Sequence, residues 1–499
     1  MTMLNTIDTR LARRQFLHSS ANALGGMALA SLLQSDGLLA DERAGSASHP
    51  ANPLAPRLPH FSGTAKSCIF IFLAGGPSQL DMYDPKPKLA EMDGKALPEE
   101  LLRNVRFAFI KKETARLNGS SRKFTKHGQC GMEISELLPH LGSCADDIAL
   151  VRSLYTDQFN HHPAQILMNT GVGFFGRPTI GSWLNYGLGN ESRNLPGYVV
   201  LTAGRGASGG ASLWSSGFLP STYAGVLFRS QGESVLNLNN PAGVSTEMQA
   251  AGLKAIRRLN QNQLEQTRDT EIASRIASYE LAFRMQSKAP ELVDISGESQ
   301  AMIDGYGVNR PEPEKNDNSR GSEGAAFATF ARNCLLARRL VERGVRFVNL
   351  YHASWDHHSD LNAGLDYNCG MIDQPIAALI KDLKNRSLLD STLIVVVGEF
   401  GRTPLGENRA NFAKVTGRDH HPYAFSIVMA GGGIKGGTVV GKTDELGWAP
   451  VEDPVHINDL HATMLHTFGM DHKRLVVPFG GLPIRLTNVA GKVVNKLLA

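Results

Sequence analysis

Seven consecutive residues, Ser67-Cys68-Ile69-Phe70-Ile71-Phe72-Leu73, carry no charge and run directly into Ala74-Gly75-Gly76-Pro77. A half-buried strand alternates apolar with polar side chains, so an unbroken apolar run predicts a strand covered on both faces. Strands of that kind belong to parallel sheets flanked by helices. The glycines and the proline end the strand in a turn.

Five further runs fit the same sheet: Asp147–Arg152, Gly197–Thr202, Arg346–Tyr351, Thr392–Val397 and Phe425–Ala430. Helical patterns separate most of them. In Asp373–Arg386, Ile376, Leu379, Ile380 and Leu383 fall on one face. Alternating strands and helices predict a doubly wound α/β fold. Two segments interrupt it, a polar, loop-like stretch from Asn104 to Ser135 and a charged helical insertion at about 247–286; Glu312–Gly324 reads as a polar, mobile loop. There is no internal repeat.

The chain has 499 residues with 51 basic and 47 acidic side chains, a formal charge of +4, and no long basic block. Nothing in that balance calls for nucleic acid. Residues 1–40 read as a signal peptide: Arg10, Arg13 and Arg14 precede a weakly apolar stretch, Ala21–Leu33, too short to span a bilayer. The string from Arg13-Arg14-Gln15-Phe16-Leu17 resembles the twin-arginine signal, which implies the twin-arginine translocase as export partner and a periplasmic or extracellular destination. Residues 41–66 read as a disordered spacer. Folding is expected to begin near Ser67, with the main domain at 67–490. No later run has transmembrane length, so no stable membrane anchor is expected. The five cysteines show no Cys-x-x-Cys spacing, which argues against a thiolate zinc site, and in an oxidising compartment they allow one disulfide with a thiol left over.

In open α/β sheets ligands gather beyond the carboxyl ends of the strands. Metal-binding residue types crowd there: His352, Asp356, His357, His358 and Asp360 after Tyr351; Glu399 and Arg402 after Val397; Asp419, His420 and His421 before Phe425. Asp81 and Asp84 follow the first strand, and His161-His162 precede Pro163. Imidazole with carboxylate suits zinc, manganese or iron, whereas calcium prefers oxygen alone. Lone histidines are commonly core or surface residues, but three separate pairs at strand edges point to a metal site.

The string LLDSTLIVVVGEFGRTP, with the helix before it, FSIVMAGGGIKGG and VHINDLHATMLHTFGM resemble the alkaline phosphatase and sulfatase superfamily. Together with FLAGGPSQLDMYDPKP and WDHHSD, nearly the whole mature chain resembles domain of unknown function 1501 (DUF1501), a sulfatase-related group of exported proteins. The resemblance implies a divalent metal, zinc before calcium or magnesium. Its ligands are expected among Asp356, His357, Glu399, His420 and His421, with Asp81 replacing the acid that the superfamily carries near Ala74 or Gly75. Sulfatases convert the Cys of Cys-x-Pro-Ser-Arg to formylglycine; the comparable string here is His161-His162-Pro163-Ala164-Gln165, and a formylglycine mechanism is excluded. Ser153 and Thr156 lie nearby as substitutes. His161 is therefore a nucleophile, a metal ligand or part of an inactive relic. The expected function is a metal-dependent hydrolase of phosphate or sulfate esters, with His161 and His162 completing the site and Arg402 steadying the anion. The alternatives are a non-catalytic protein that binds metal or sulfated polysaccharide, and a structural protein of the cell envelope.

Overall fold

The structure is a computed structural model that describes residues 52–98, 110–111, 114–204, 206–229, 235–236, 238–267, 269–313, 325–407 and 417–499. The leader, residues 41–51 of the spacer, and the Glu312–Gly324 loop from position 314 onward lie outside the described residues.

Ser67–Ala74 is the centre of the main sheet and every residue in it is buried. It pairs in parallel with Phe347–Ala353 on one side and Thr392–Val397 on the other. Beyond Phe347–Ala353 lie Tyr198–Ala203 and Val226–Phe228, also parallel. Beyond Thr392–Val397, the strand Phe425–Ala430 runs antiparallel to both of its neighbours, the second being Ile148–Tyr155. Thr438–Val440 and Val455–His456 then pair in parallel with Ile148–Tyr155. The expected α/β fold with a mostly parallel sheet is the observed one.

The unbroken apolar run at 67–74 now has its reason. Ile69, Ile71 and Leu73 enter one core, beneath the helices Ala326–Glu342 and Leu361–Asn385. Cys68, Phe70, Phe72 and Ala74 enter the other, beneath His161–Thr170, Ile180–Leu188 and Ile457–Thr467. Alternate side chains of a strand point to opposite faces, so both must be apolar when helices cover both. Each fully buried phenylalanine contributes about 1.5–3 kcal/mol.

Two segments differ from the sequence reading. The helix expected over Asp373–Arg386 begins twelve residues earlier, as Leu361–Asn385. Gly364, Asn368 and Gly370 are weak helix formers, and packing against the sheet overrides that weakness. The polar stretch Asn104–Ser135 is not loop throughout: Phe124–His127 and Met132–Ser135 form a hairpin, and Arg116–Leu117 pairs with Gly401–Gly406. The charged insertion consists of two long helices, Thr246–Thr267 and Thr270–Val293. All five cysteines are free, so the disulfide that the sequence allowed is not formed. Among the described residues no helix is long and apolar enough to cross a membrane.

Candidate metal centre

Four segments meet at the carboxyl ends of the central strands. The turn after Ala74 is shaped by close approach: Gly75 has φ +123°, and a Cβ there would lie 2.5 Å from the backbone nitrogen of Asp356. Only glycine lets the Trp355–His358 loop pack so closely. That loop is bounded by two residues of positive φ, Ser354 (97°) and Asp360 (50°). Thr392–Val397 delivers Glu399 and Arg402, and the antiparallel pairing of Gly401–Gly406 with Arg418–His421 sets His420 opposite Arg402. The helix His161–Thr170 brings His161 in by its first residue.

Asp356 Oδ1 is the hub. It accepts from Arg402 at 2.6 Å and lies 2.7 Å from His358 Nε2, 3.2 Å from His420 Nε2 and 3.3 Å from His161 Nε2. The His358 and His420 Nε2 atoms are 3.1 Å apart. The donor atoms of His161, Asp356, His358 and His420 all lie within 4.8 Å of one another.

Behind each ring stands an acceptor. His161 Nδ1 donates to Glu399 Oε1 at 2.7 Å, His420 Nδ1 donates to the Phe159 carbonyl at 2.8 Å, and His358 Nδ1 donates to Glu407. A neutral imidazole carries one N–H, so with a proton on each Nδ1 each Nε2 would present its lone pair to an ion placed among the rings. Three ring nitrogens and a carboxylate oxygen therefore face one point, and the buried His161 Nε2 makes no hydrogen bond among the described residues. Such a set could hold a cation at its centre, and acceptors behind the rings are how metal-bound histidines are held. The donor chemistry fits a divalent ion.

Electrostatics agree. Burial alone would lower the pKa of His161, but Asp356 and Glu399 overcome it and raise it to about 9. Without a metal ion, a proton on that ring answers the surrounding negative charge. Burial disfavours the charged form of Asp356, yet Arg402 and the three imidazoles hold its carboxyl well below the usual range. Glu399, wholly buried, is likewise held low by His161 and Gln165 against its own desolvation.

A family profile for DUF1501, described as a protein of unknown function, matches residues 65–498. The chain belongs to the DUF1501 family. No curated protein matches it significantly. Among solved structures it is similar to the PsFucS1 sulfatase from Pseudoalteromonas sp. (10% identity, 89% of this chain and 72% of that one, TM-score 0.37). It is also similar to the lipoteichoic acid synthase LtaP from Listeria monocytogenes (7% identity, 88% and 79%, TM-score 0.38) and to alkaline phosphatase from the Antarctic bacterium TAB5 (9% identity, 74% and 92%, TM-score 0.31).

Of the residues singled out in the sequence, His161, Asp356 and His420 meet in the donor group. Glu399 stands behind it: Gly75 N–H donates to both of its oxygens, at 2.9 and 3.0 Å, and Gln165 to one at 3.1 Å. Arg402 is buried and donates to the carbonyls of Gly75, Gly76, Arg418 and Trp355 as well as to Asp356, so it braces the loop. Asp81 lies elsewhere, in a buried ion pair with Arg418 at 2.9 Å. His357 faces Asn368 and Trp355. His421 donates to the Trp448 carbonyl at 2.7 Å, because neighbouring strand residues point to opposite sides and His420 takes the inner one. His162 is exposed in the first helical turn.

Sequence reasoning did not select His358, Glu407 or Gln165. His358 was visible as half of a pair, but which half turns inward depends on the loop's positive-φ residues. Gln165 carried a faint signal, since it follows His161 by one helical turn and shares its face. Glu407 carried none.

Proposed function

We propose that this protein is an exported, divalent-metal-dependent hydrolase of phosphate or sulfate esters that works without formylglycine, its ion held by His161, Asp356, His358 and His420. The observation that carries this reading is the set of three inward imidazole nitrogens around one carboxylate oxygen, each ring pinned from behind. Three imidazoles and one carboxylate favour zinc over calcium or magnesium. A bound ion of this kind supplies Lewis acidity toward an ester oxygen and lowers the pKa of a coordinated water. The chain's own residues do the rest. Glu399 and Glu407 hold His161 and His358 in one tautomer, Arg402 fixes Asp356, and His162 stands exposed beside His161 in the first helical turn. Export in folded form by the twin-arginine translocase to the periplasm or cell surface, read from Arg13 and Arg14, belongs to the same proposal.

The state of the two hydroxyls that the sequence offered as substitutes favours a second reading, a metal-loaded but non-catalytic protein that binds anionic polysaccharides. The Ser153 hydroxyl is committed to the Asp453 carbonyl at 2.5 Å, and Thr156 is buried. Elemental analysis of the exported protein, with a panel of phosphate and sulfate esters assayed in zinc, manganese and magnesium, separates the two. Stoichiometric metal with turnover that disappears in Asp356→Asn supports the hydrolase. Stoichiometric metal without turnover favours the binder, and folded protein that takes up no metal defeats both.

A further inference from the structure

Thr246–Thr267 is a 22-residue helix with no buried residue, a rare state for an element holding several large apolar side chains. Met248, Ile256 and Leu259 are 61%, 43% and 69% exposed. One side of the helix is occupied: Arg257 pairs with Glu280 of Thr270–Val293 at 3.0 Å. At 100° per residue, Met248, Gly252, Ala255 and Leu259 fall on another side, well away from Arg257, at the four-three-four spacing of a helix-packing seam. A Cβ added at Gly252 would meet nothing within 4 Å, so that seam is open.

We propose that this seam is the contact between two copies of the chain, joined antiparallel about a two-fold axis passing between Leu253 and Lys254. The sequence of the seam is its own complement in that register. Met248 of one copy lies opposite Leu259 of the other, and Gly252 lies opposite Ala255. Small residues at the centre allow the helix axes to approach closely, and large ones at the ends close over them. Charge follows the same symmetry. Glu247 and Arg258 share one flank of the seam, and antiparallel pairing brings like flanks together, so each Arg258 meets Glu247 of the other copy. An isologous interface requires this self-complementarity, in which residue i meets j and j meets i. An unrelated partner would not require the pattern to read the same from both ends.

Sedimentation analysis of the full mature chain, at concentrations from 1 to 100 µM, tests the pairing. The expected result is a dimer, with Leu259→Asp halving the mass and leaving circular dichroism unchanged, because the side chain is exposed. Glu247→Arg and Arg258→Glu should each weaken association about tenfold, and the double swap should restore it. A monomer at every concentration overturns the proposal, including one that pellets with anionic vesicles. A dimer indifferent to Leu259→Asp overturns it as well, and single swaps that the double variant does not rescue overturn the antiparallel register.

Discussion

The protein holds two populations of histidine, and their surroundings set them apart more than their burial does. His161, His358 and His420 point one nitrogen at Asp356 and the other at an acceptor, within a site that also holds Glu399 and Glu407. His352 and His461 are fully buried, and each has one neutral hydrogen-bond partner, the Trp355 indole and the Met168 carbonyl, with no carboxylate among the described residues on the other ring nitrogen. Burial lowers the pKa of His352 to about 3, and burial, partly offset by the Met168 carbonyl, lowers that of His461 to about 4. Buried histidine is thus no sign of a ligand. What marks the first population is an acceptor on both sides of the ring.

The largest expected effect tests that distinction directly. His358→Ala removes one of four donors and should lower metal affinity at least a hundredfold, about 3 kcal/mol, while leaving the fold intact. His461→Ala should do the reverse, keeping the metal but costing about 2–4 kcal/mol through a cavity and an unpaired carbonyl. Metal titration and urea unfolding of both variants check the pair. Equal metal loss in both would erase the comparison.

The second population should also set the acid limit of stability. A histidine with a folded pKa of about 4 and an unfolded one near 6.5 is neutral in both states above pH 6.5, and below that only the unfolded chain takes up the proton. Stability therefore falls as pH drops from 6.5 toward 4, by about 1.4 kcal/mol per unit for each such residue. His461→Gln keeps a donor for the Met168 carbonyl and should flatten that slope by the share of one histidine, measured by unfolding at pH 7.5, 6.0 and 5.0. An unchanged slope would mean that another group governs the acid limit.

Glu407→Gln should act more weakly than loss of a ligand. The amide still accepts from His358 Nδ1, but without the charge that makes the ring a better donor, so metal affinity should fall about tenfold. Isothermal titration with zinc measures it. A loss as large as that of His358→Ala would make Glu407 a ligand in its own right.

How much of this was legible in the sequence follows from the reach of each signal. The parallel sheet could be read because Ser67–Ala74 must satisfy two cores at once, a demand that leaves its mark on every residue. The site was legible as a neighbourhood, since chain ends of parallel strands converge on one edge, but not as a ligand list. His420 and His421 differ only in strand phase, and His357 and His358 only in the turn of a loop held by Ser354 and Asp360. Asp81 looked available because the ion pair that consumes it comes from Arg418, more than three hundred residues away. Glu407 had no local pattern to betray it.

His162 should give the smallest effect and the finest discrimination. It adjoins His161 but is exposed, and it belongs to neither population. His162→Ala should leave metal content and stability within about 0.5 kcal/mol of the parent, as an exposed side chain does. If the protein hydrolyses esters, this variant should slow turnover while keeping its metal, because an exposed side chain beside the donor group serves the reaction and not the ion. Metal content measured beside ester turnover decides it: loss of metal would place His162 in the donor group and redraw the line between the two kinds of histidine.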